Sequence, residues 1–289
     1  MRDTIDINSN DNALFITSQC NNRCVMCCQP PLLRNDLDGY FQKNMALIDS
    51  APRELRSLGI TGGEPTLLGD RLFELLRHIR LKLPETEIHL LTNGRAFADK
   101  EYARKLAECN TEKILLGIPI HADYAGDHDA ITQVKGSFEE TMLGLYNLGR
   151  YDIGIELRVV ITKMNYLRLP KLPDFIYRNL PFVEFISLMG LEYTGYTIKN
   201  RKAVWIDPMD YQAELTQAVL ELRDWRMDVS IFNLPRCTLP EALWPFARKS
   251  ISDWKTQYLD ICRECAEQPE CCGLFATSRI QSRGIKVIK

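Results

Sequence analysis

Apolar positions in this chain follow two alternating patterns. Short runs at Ala13 to Thr17, Gly59 to Thr61, Lys113 to Ile120, Ile153 to Thr162 and Val183 to Met189 read as strands of the nearly continuous apolar type, and Glu87 to Thr92 alternates into another. Between them lie segments with helical spacing. Lys43 to Ser57 has helical stretches interrupted by Pro52; Leu72, Leu75, Leu76 and Ile79 share one face behind a cap at Asp70; a helix covers roughly Ala98 to Cys109. Ser137 with Glu140 makes a capping box for a helix carrying Met142, Leu145 and Tyr146, and a short helix surrounds Asp174 to Leu180. The result is a βα alternation repeated about six times, which predicts an α/β fold with a parallel sheet, closed or open. In βα barrels, ligands sit at the carboxyl ends of the strands. Those ends carry Cys20 to Cys27, Gly62 to Pro65, Thr92-Asn93, His121 and the loop after Met189.

The first of these loops sets the chemistry. Cys20, Cys24 and Cys27 place three thiolates within eight residues, enough for three corners of a cubane iron-sulfur cluster whose fourth iron stays open to bind something directly. One strand and one helix later comes Gly62-Gly63-Glu64-Pro65. Two glycines permit positive φ and close approach to a ligand, proline fixes the exit, and the carboxylate suits an ammonium group. A structural zinc site is the competing reading of the cysteines, but zinc favours paired knuckles with four ligands, and this triplet has no histidine nearby.

The Cys-x3-Cys-x2-Cys loop followed by Gly-Gly-Glu-Pro resembles the signature of the radical S-adenosylmethionine (SAM) enzymes. The resemblance implies a partial (β/α)6 barrel over residues 12–205, preceded by an extension at 1–11. It implies that Cys20, Cys24 and Cys27 hold a [4Fe-4S] cluster whose open iron is chelated by the methionine half of SAM. Gly62, Gly63 and Glu64 would receive the amino group, with Pro65 shaping the turn. An external donor would supply an electron, SAM would break to a 5′-deoxyadenosyl radical, and the radical would abstract a substrate hydrogen. Thr92 and Asn93 stand where the third strand of the family meets SAM, and equally read as an ordinary Asn-Gly turn. Arg158 interrupts an apolar strand; it would hold the SAM carboxylate or pair with Glu156 or a neighbouring strand. His121 would touch ribose or substrate, or be a satisfied structural histidine. Glu192 would open on the site or be a solvated loop carboxylate. Met26 stands where the family usually has an aromatic residue near adenine, so apolar packing survives and stacking does not.

The pattern changes after Asp207-Pro208, a cap and first-turn proline for a helix towards Trp225, followed by a strand at Asp228 to Phe232. Residues 206–289 then form a smaller cysteine-rich unit with Cys237 and the group Cys262, Cys265, Cys271 and Cys272. These resemble the Twitch unit, a shortened relative of SPASM, which implies one auxiliary [4Fe-4S] cluster on Cys237, Cys262, Cys265 and either Cys271 or Cys272. The Cys-x5-Cys interval favours Cys271. Phe275 stands where a further SPASM cysteine would fall, which argues against two auxiliary clusters. Zinc is the alternative here as well. Cys28 and Cys109 are left over.

Composition narrows the partners. The 289 residues suffice for one large domain or one and a half, and a net charge of −2 gives no bulk attraction to nucleic acid or an anionic membrane. No amino-terminal signal core or membrane-length apolar stretch is present. Ten cysteines without a signal peptide point to reduced thiols and a cytoplasmic, oxygen-sensitive protein. Gln29-Pro30-Pro31, Gly190-Leu191-Glu192 with Gly195-Tyr196, Trp205 to Pro208, and Ser250 to Lys255 resemble the His-Xaa-Ser system radical SAM maturases of the HxsC type. That likeness implies a ribosomally made peptide substrate with His-Xaa-Ser repeats and a partner radical SAM protein. With about a dozen residues before the first strand, a leader-bearing peptide would need another protein to present it. The basic tail of Arg279, Arg283, Lys286 and Lys289 would steer an acidic partner or simply be solvated. The competing functions are a radical SAM enzyme acting on tRNA or a small metabolite, and a zinc-stabilised binding module without turnover.

Overall fold

A computed structural model describes residues 4–9, 11–250, 255–277 and 280–289. Residues 1–3 and 10 of the amino-terminal extension, 251–254 of the Ser250 to Lys255 string, and Arg279 of the basic tail lie outside the described residues. Among those described, no helix is long and apolar enough to cross a membrane.

The fold is α/β. Eight strands form a sheet in chain order: β1 (Ala13–Phe15), β2 (Ser57–Thr61), β3 (Glu87–Leu91), β4 (Ile114–Pro119), β5 (Gly154–Val160), β6 (Phe185–Met189), β7 (Val229–Phe232) and β8 (Ala247–Arg248). Among the described residues the sheet is not closed into a barrel. The chain divides into two compact units. One comprises residues 1–23, 29–119 and 134–156; the other comprises 24–28, 120–133 and 157–289.

In the first unit β1 to β4 are parallel, with Leu14 opposite Ile60, Ile60 opposite Leu90 and Leu90 opposite Leu116. All four side chains are fully buried. The helices of this unit are α1 (Leu37–Ser50), α2 (Arg71–Lys82), α3 (Lys100–Ala107) and, after the intervening α4 (Ala125–Thr132) of the other unit, α5 (Ser137–Gly149). Leu72, Leu75, Leu76 and Ile79 form the buried face of α2, as their spacing predicts; each contributes roughly 1.5–3 kcal/mol on burial.

Several boundaries differ from the sequence reading for local reasons. Helix α1 starts earlier and stops at Ser50, because Ala51 precedes Pro52 and takes an extended backbone (ψ 142°). Asp70 is itself helical and makes no cap; its carboxylate instead accepts from Lys105 Nζ at 2.8 Å. The capping box at Ser137 and Glu140 does not form, since Gly136 takes the cap position at φ +83° and leaves Ser137 buried in the first turn.

In the second unit β6, β7 and β8 are parallel, and Ser187 faces Ser230 in the register. The strand expected at Asp228 to Phe232 therefore continues the main sheet. Helices α6 (Leu172–Asn179), α7 (Tyr196–Lys199), α8 (Arg201–Val204) and α9 (Gln212–Asp224) belong here. Asp207 caps a 3-10 turn at Pro208–Asp210 rather than α9 itself. Beyond β8 the described residues form short turns and a small antiparallel pair, β9 (Thr256–Gln257) with β10 (Leu274–Phe275).

Candidate functional site

In the first unit the ends of β1, β2 and β3 are stitched together through Glu64. Its carboxylate is buried, and Oε1 accepts from Thr66 N (3.0 Å), Thr66 Oγ1 (2.8 Å) and Thr92 Oγ1 (2.6 Å), while Oε2 accepts from Asn93 N at 2.7 Å. Burial pushes its carboxyl up, against those bonds. The two glycines serve the protein's own backbone. Gly63 N and Glu64 N donate to Thr17 O and Gln19 O at 2.7 and 2.8 Å, and a Cβ on Gly63 would lie 1.9 Å from Gln19 O. Gly62 holds φ +146°, and Pro65 opens the 3-10 turn that follows.

The same unit holds the start of the cysteine loop. Asn93 Nδ2 donates to Asn21 Oδ1 (2.6 Å), and Arg95 Nη1 donates to Asn21 O (2.8 Å) and Asn22 Oδ1 (2.6 Å). Asp36 accepts from Thr17 Oγ1 (2.6 Å), Ser18 N and Ser18 Oγ. Thr92 and Asn93 thus lie at an Asn-Gly turn, with Gly94 at φ +79°, and both also use their side chains to hold neighbours. Burial pushes the Cys20 thiol up to about 11, opposed by a hydrogen bond from Asn22 N at 3.3 Å. Sequence reading had passed over Asn21, Asn22, Asp36 and Arg95; the Asn pair inside the loop and the Arg directly after Asn93-Gly94 were the available signals.

In the second unit the segment Cys24 to Cys28 is fastened mainly by its backbone. Val25 N donates to Ile131 O (2.9 Å), Asn200 Nδ2 to Val25 O (2.8 Å), Thr197 Oγ1 to Met26 O (3.3 Å) and Tyr196 N to Cys27 O (2.9 Å). Gly195, at φ +57°, passes so close that a Cβ would stand 2.3 Å from Cys27 O. This accounts for the Gly195-Tyr196 string. Met26 is buried with Ile131 and Val204, and Cys24 and Met164 pack against that cluster.

His121 is fully enclosed. Its backbone N–H donates to His128 Nδ1 (3.2 Å), its carbonyl accepts from Asn165 Nδ2 (2.9 Å), and its own Nδ1 has no partner among the described residues. Burial, then the neighbouring His128, holds its imidazole well below the usual range. Arg158 is half-buried on β5, and its carbonyl accepts from Ile120 N. Glu156 accepts from or donates to His89 Nε2 at 2.7 Å according to the imidazole tautomer. Glu192 is paired with Lys255 Nζ (3.2 Å) and accepts from Thr277 Oγ1 (2.7 Å), so it is not a solvated carboxylate.

Four of the carboxyl-terminal cysteines surround one cavity. Cys237, Cys262, Cys265 and Cys271 line it together with Arg236 and Tyr258. Cys272 lines a separate hollow with Asn233 and Lys255. Cys271 Sγ accepts from Arg236 N and Gly273 N at 3.4 Å, and its thiol is lowered to about 6, chiefly by a hydrogen bond with Cys272. Burial raises the Cys237 thiol, with Cys271 and Cys262 adding to the effect. Among the described residues no three Cys, His, Asp or Glu side chains group around a single ion. Arg236 Nε is buried and has no hydrogen-bond acceptor among the described residues. Four soft thiol donors around a cavity, beside a buried N–H lacking an acceptor, fit an iron-sulfur cluster with its sulfides. The partly exposed thiols of Cys20, Cys24 and Cys27 likewise suit such a cluster by donor type.

The radical SAM superfamily model matches residues 14–174, more than half of the chain. The chain belongs to the radical SAM superfamily. It is an enzyme, and its superfamily works with a [4Fe-4S] cluster and SAM. The radical SAM chain is 30% identical over 181 residues to Fe-coproporphyrin III synthase of Methanosarcina barkeri, covering 60% of this chain and 43% of that protein. It is 29% identical over 191 residues to pre-heme d1 synthase of Dinoroseobacter shibae, covering 64% and 44%. Streptococcus suis SuiB bound to SAM shares its fold, with a TM-score of 0.58 and 18% identity over 76% of this chain and 49% of that one. SuiB has also been solved with its precursor peptide SuiA. The chain spans less than half the length of each of these proteins.

Proposed function

We propose that this radical SAM enzyme holds its SAM-binding [4Fe-4S] cluster on Cys20, Cys24 and Cys27, carries an auxiliary [4Fe-4S] cluster on Cys237, Cys262, Cys265 and Cys271 in a Twitch-like unit over 206–289, and modifies a ribosomally synthesised peptide. The observation carrying this reading is the gathering of four carboxyl-terminal cysteines on one cavity, with Cys272 outside it. When bound, the SAM-binding cluster and SAM supply one-electron cleavage of the sulfonium and a 5′-deoxyadenosyl radical. The chain's own residues bind and orient. Glu64 Oε1 already takes three donors, whereas Oε2 takes one and keeps capacity for the methionine ammonium. Met26 and Gly62 to Pro65 shape the surroundings, Thr92 and Asn93 hold the third strand end in place, Arg158 is assigned to the SAM carboxylate, and the enclosed His121 keeps the structural role.

An auxiliary cluster suits an oxidative step such as crosslinking, where it accepts an electron, or a substrate anchor. The peptide assignment is supported by the strings shared with His-Xaa-Ser maturases and by the peptide-bound SuiB fold relative. It implies an external reductant and a leader-binding or second radical SAM partner. The names of the curated relatives favour a second reading, a small metabolite of the tetrapyrrole kind.

Iron, sulfide and zinc per chain after anaerobic reconstitution test the assignment. Two cubanes predict about eight irons, falling to about four in a Cys20, Cys24 and Cys27 triple alanine variant. A synthetic precursor with His-Xaa-Ser repeats should then change mass with SAM and dithionite, in step with 5′-deoxyadenosine. About four irons falling to none overturns the auxiliary cluster, and zinc without iron leaves a zinc module. 5′-Deoxyadenosine formed with a tetrapyrrole but with no peptide moves the assignment to the second reading.

A further inference from the structure

We propose that Arg236 is a charged partner of the auxiliary cluster that raises its reduction potential, with Glu267 as the counterweight that limits the effect; this rests on the reading of the four-cysteine cavity as a cluster site. Arg236 meets the cavity in several ways. Its backbone N–H donates to Cys271 Sγ at 3.4 Å, its side chain lines the space, and its Nε–H is buried without an acceptor among the described residues. An N–H left in that state is destabilising, and a sulfur acceptor in the cavity would relieve it.

The guanidinium is also held in place. Nη1 pairs with Glu267, and the group lies 5.9 Å from the centroid of the Trp244 ring. Trp244 Nε1 in turn donates to the carbonyls of Arg236 and Leu239 at 3.1 and 3.3 Å. Backbone and side chain of one residue are therefore clamped against the cavity wall. Lys286 lines the same cavity, and its backbone N–H donates to Cys237. Among the described residues it makes no salt bridge or ring contact of the kind that fixes Arg236.

The energetics set the sign. Reducing a thiolate-ligated cluster adds one negative charge to an anionic group, and a fixed cation with a hydrogen-bond donor stabilises the reduced form more than the oxidised form. Glu267 opposes this by neutralising part of the cation. Arg236→Gln should lower the midpoint potential, and Glu267→Gln should raise it. A residue that only supported the fold would not give opposite signs at its two ends.

The test is a potentiometric titration of the reconstituted full-length protein, followed by electron paramagnetic resonance, in the background of the Cys20, Cys24 and Cys27 triple alanine variant so that one cluster is seen. Iron is counted first on the parent. Parent protein that holds zinc or no iron at this site overturns the cluster reading and the inference together, and does so before Arg236 is changed. With about four irons present, Arg236→Gln should change the oxidised-to-reduced ratio at fixed poise by about tenfold, about 59 mV downwards for a one-electron couple. Arg236→Lys, which keeps the charge and loses the fork, should fall between. If Arg236→Gln fails to retain iron, Glu267→Gln decides: an upward shift supports the assignment. An unmoved potential in an iron-replete variant, or a shift of the same sign from both ends, overturns it and leaves the auxiliary cluster intact.

Discussion

The two cysteine groups are built on opposite principles. The first hangs on regular structure: Cys20 follows β1, the Gly-Gly-Glu-Pro turn follows β2, and Thr92-Asn93 follows β3; the buried Glu64 carboxylate ties the last two, and the Gly63 and Glu64 backbone N–H groups tie the segment before Cys20. The second has almost no sheet beneath it. Cys237 and Cys262 sit in 3-10 turns, Cys265 and Cys271 cap such turns, and the residues between 280 and 289 close over them through Ile285, Lys286 and Ile288. The thiols differ accordingly. Burial leaves Cys20 at about 11, while hydrogen bonding brings Cys271 to about 6. The strand-built region leaves Cys20 dominated by burial; in the turn-built region the neighbouring Cys272 thiol, then the Gly273 and Arg236 N–H groups, favour the Cys271 thiolate.

The sharpest way to break this comparison is to crowd the backbone at one glycine in each region. A Cβ at Gly63 meets Gln19 O at 1.9 Å, backbone against backbone, and nothing there can yield without moving the cysteine loop. Gly63→Ala should cost at least about 3 kcal/mol by denaturant unfolding of the metal-free chain. At Gly273 the Cβ would stand 2.9 Å from Gln257 O, with φ at +67°, and the neighbouring pair β9 and β10 is only two residues long on each side. Gly273→Ala should cost about 1–2 kcal/mol. Equal costs would mean that the two regions are equally rigid.

The sequence showed the first region and half of the second. Spacing located Cys20, Cys24, Cys27, the Gly-Gly-Glu-Pro turn and the buried face of α2, because each depends on a local period or motif. Asn21, Asn22 and Arg95 stayed hidden because they bond across 70 or more positions of the chain, and no local pattern marks a loop held from the end of a distant strand. Glu64 was visible as a ligand candidate but not as the acceptor of four internal bonds. Cysteine counting found the second group, yet only the fold separates Cys271, which lines the four-cysteine cavity, from Cys272, which lines the neighbouring hollow. Arg283, read as a solvated or partner-steering charge, is instead paired with Asp210 at 2.9 Å.

The protonation contrast can be sharpened by alkylation of the iron-free chain. A thiolate reacts and a thiol does not, so Cys271 should already be reactive at pH 7, above its value of about 6, while Cys20 should be almost wholly protonated, below its value of about 11. Lower basicity also makes a thiolate less nucleophilic, which cancels part of the difference, and about a hundredfold should remain in favour of Cys271. Between pH 7 and 9 the Cys20 rate should climb about tenfold per pH unit and that of Cys271 should barely change. Peptide mass spectrometry after a timed iodoacetamide pulse reads both. Rates that rise together would remove the distinction between the two scaffolds.

The smallest effect concerns the residues that close the second region. Asp207 accepts from Met209 N (3.0 Å), Ser282 Oγ (2.6 Å) and Arg283 N (2.9 Å), so one carboxylate at the head of α9 holds the tail against its own turn. Burial pulls its carboxyl upwards, but the bonds from Ser282, Arg283 and Met209 outweigh it and hold the group below the usual range. A depressed carboxylate stabilises the fold above its unfolded value, about 3.9, and that contribution is lost as pH falls through the lower folded value. The tail should therefore be indifferent to pH between 6 and 8 and should loosen only in acid below about pH 4. Asp207→Asn keeps one acceptor oxygen but replaces the other with donors that face Ser282 or Arg283 N. Exchange of the Arg283 amide should speed up about tenfold, about 1.4 kcal/mol, with the Ile60 and Leu90 amides of the main sheet unchanged. If the strand amides accelerate as well, the tail is part of the cooperative core, and the contrast between a sheet-built site and a turn-built one no longer holds.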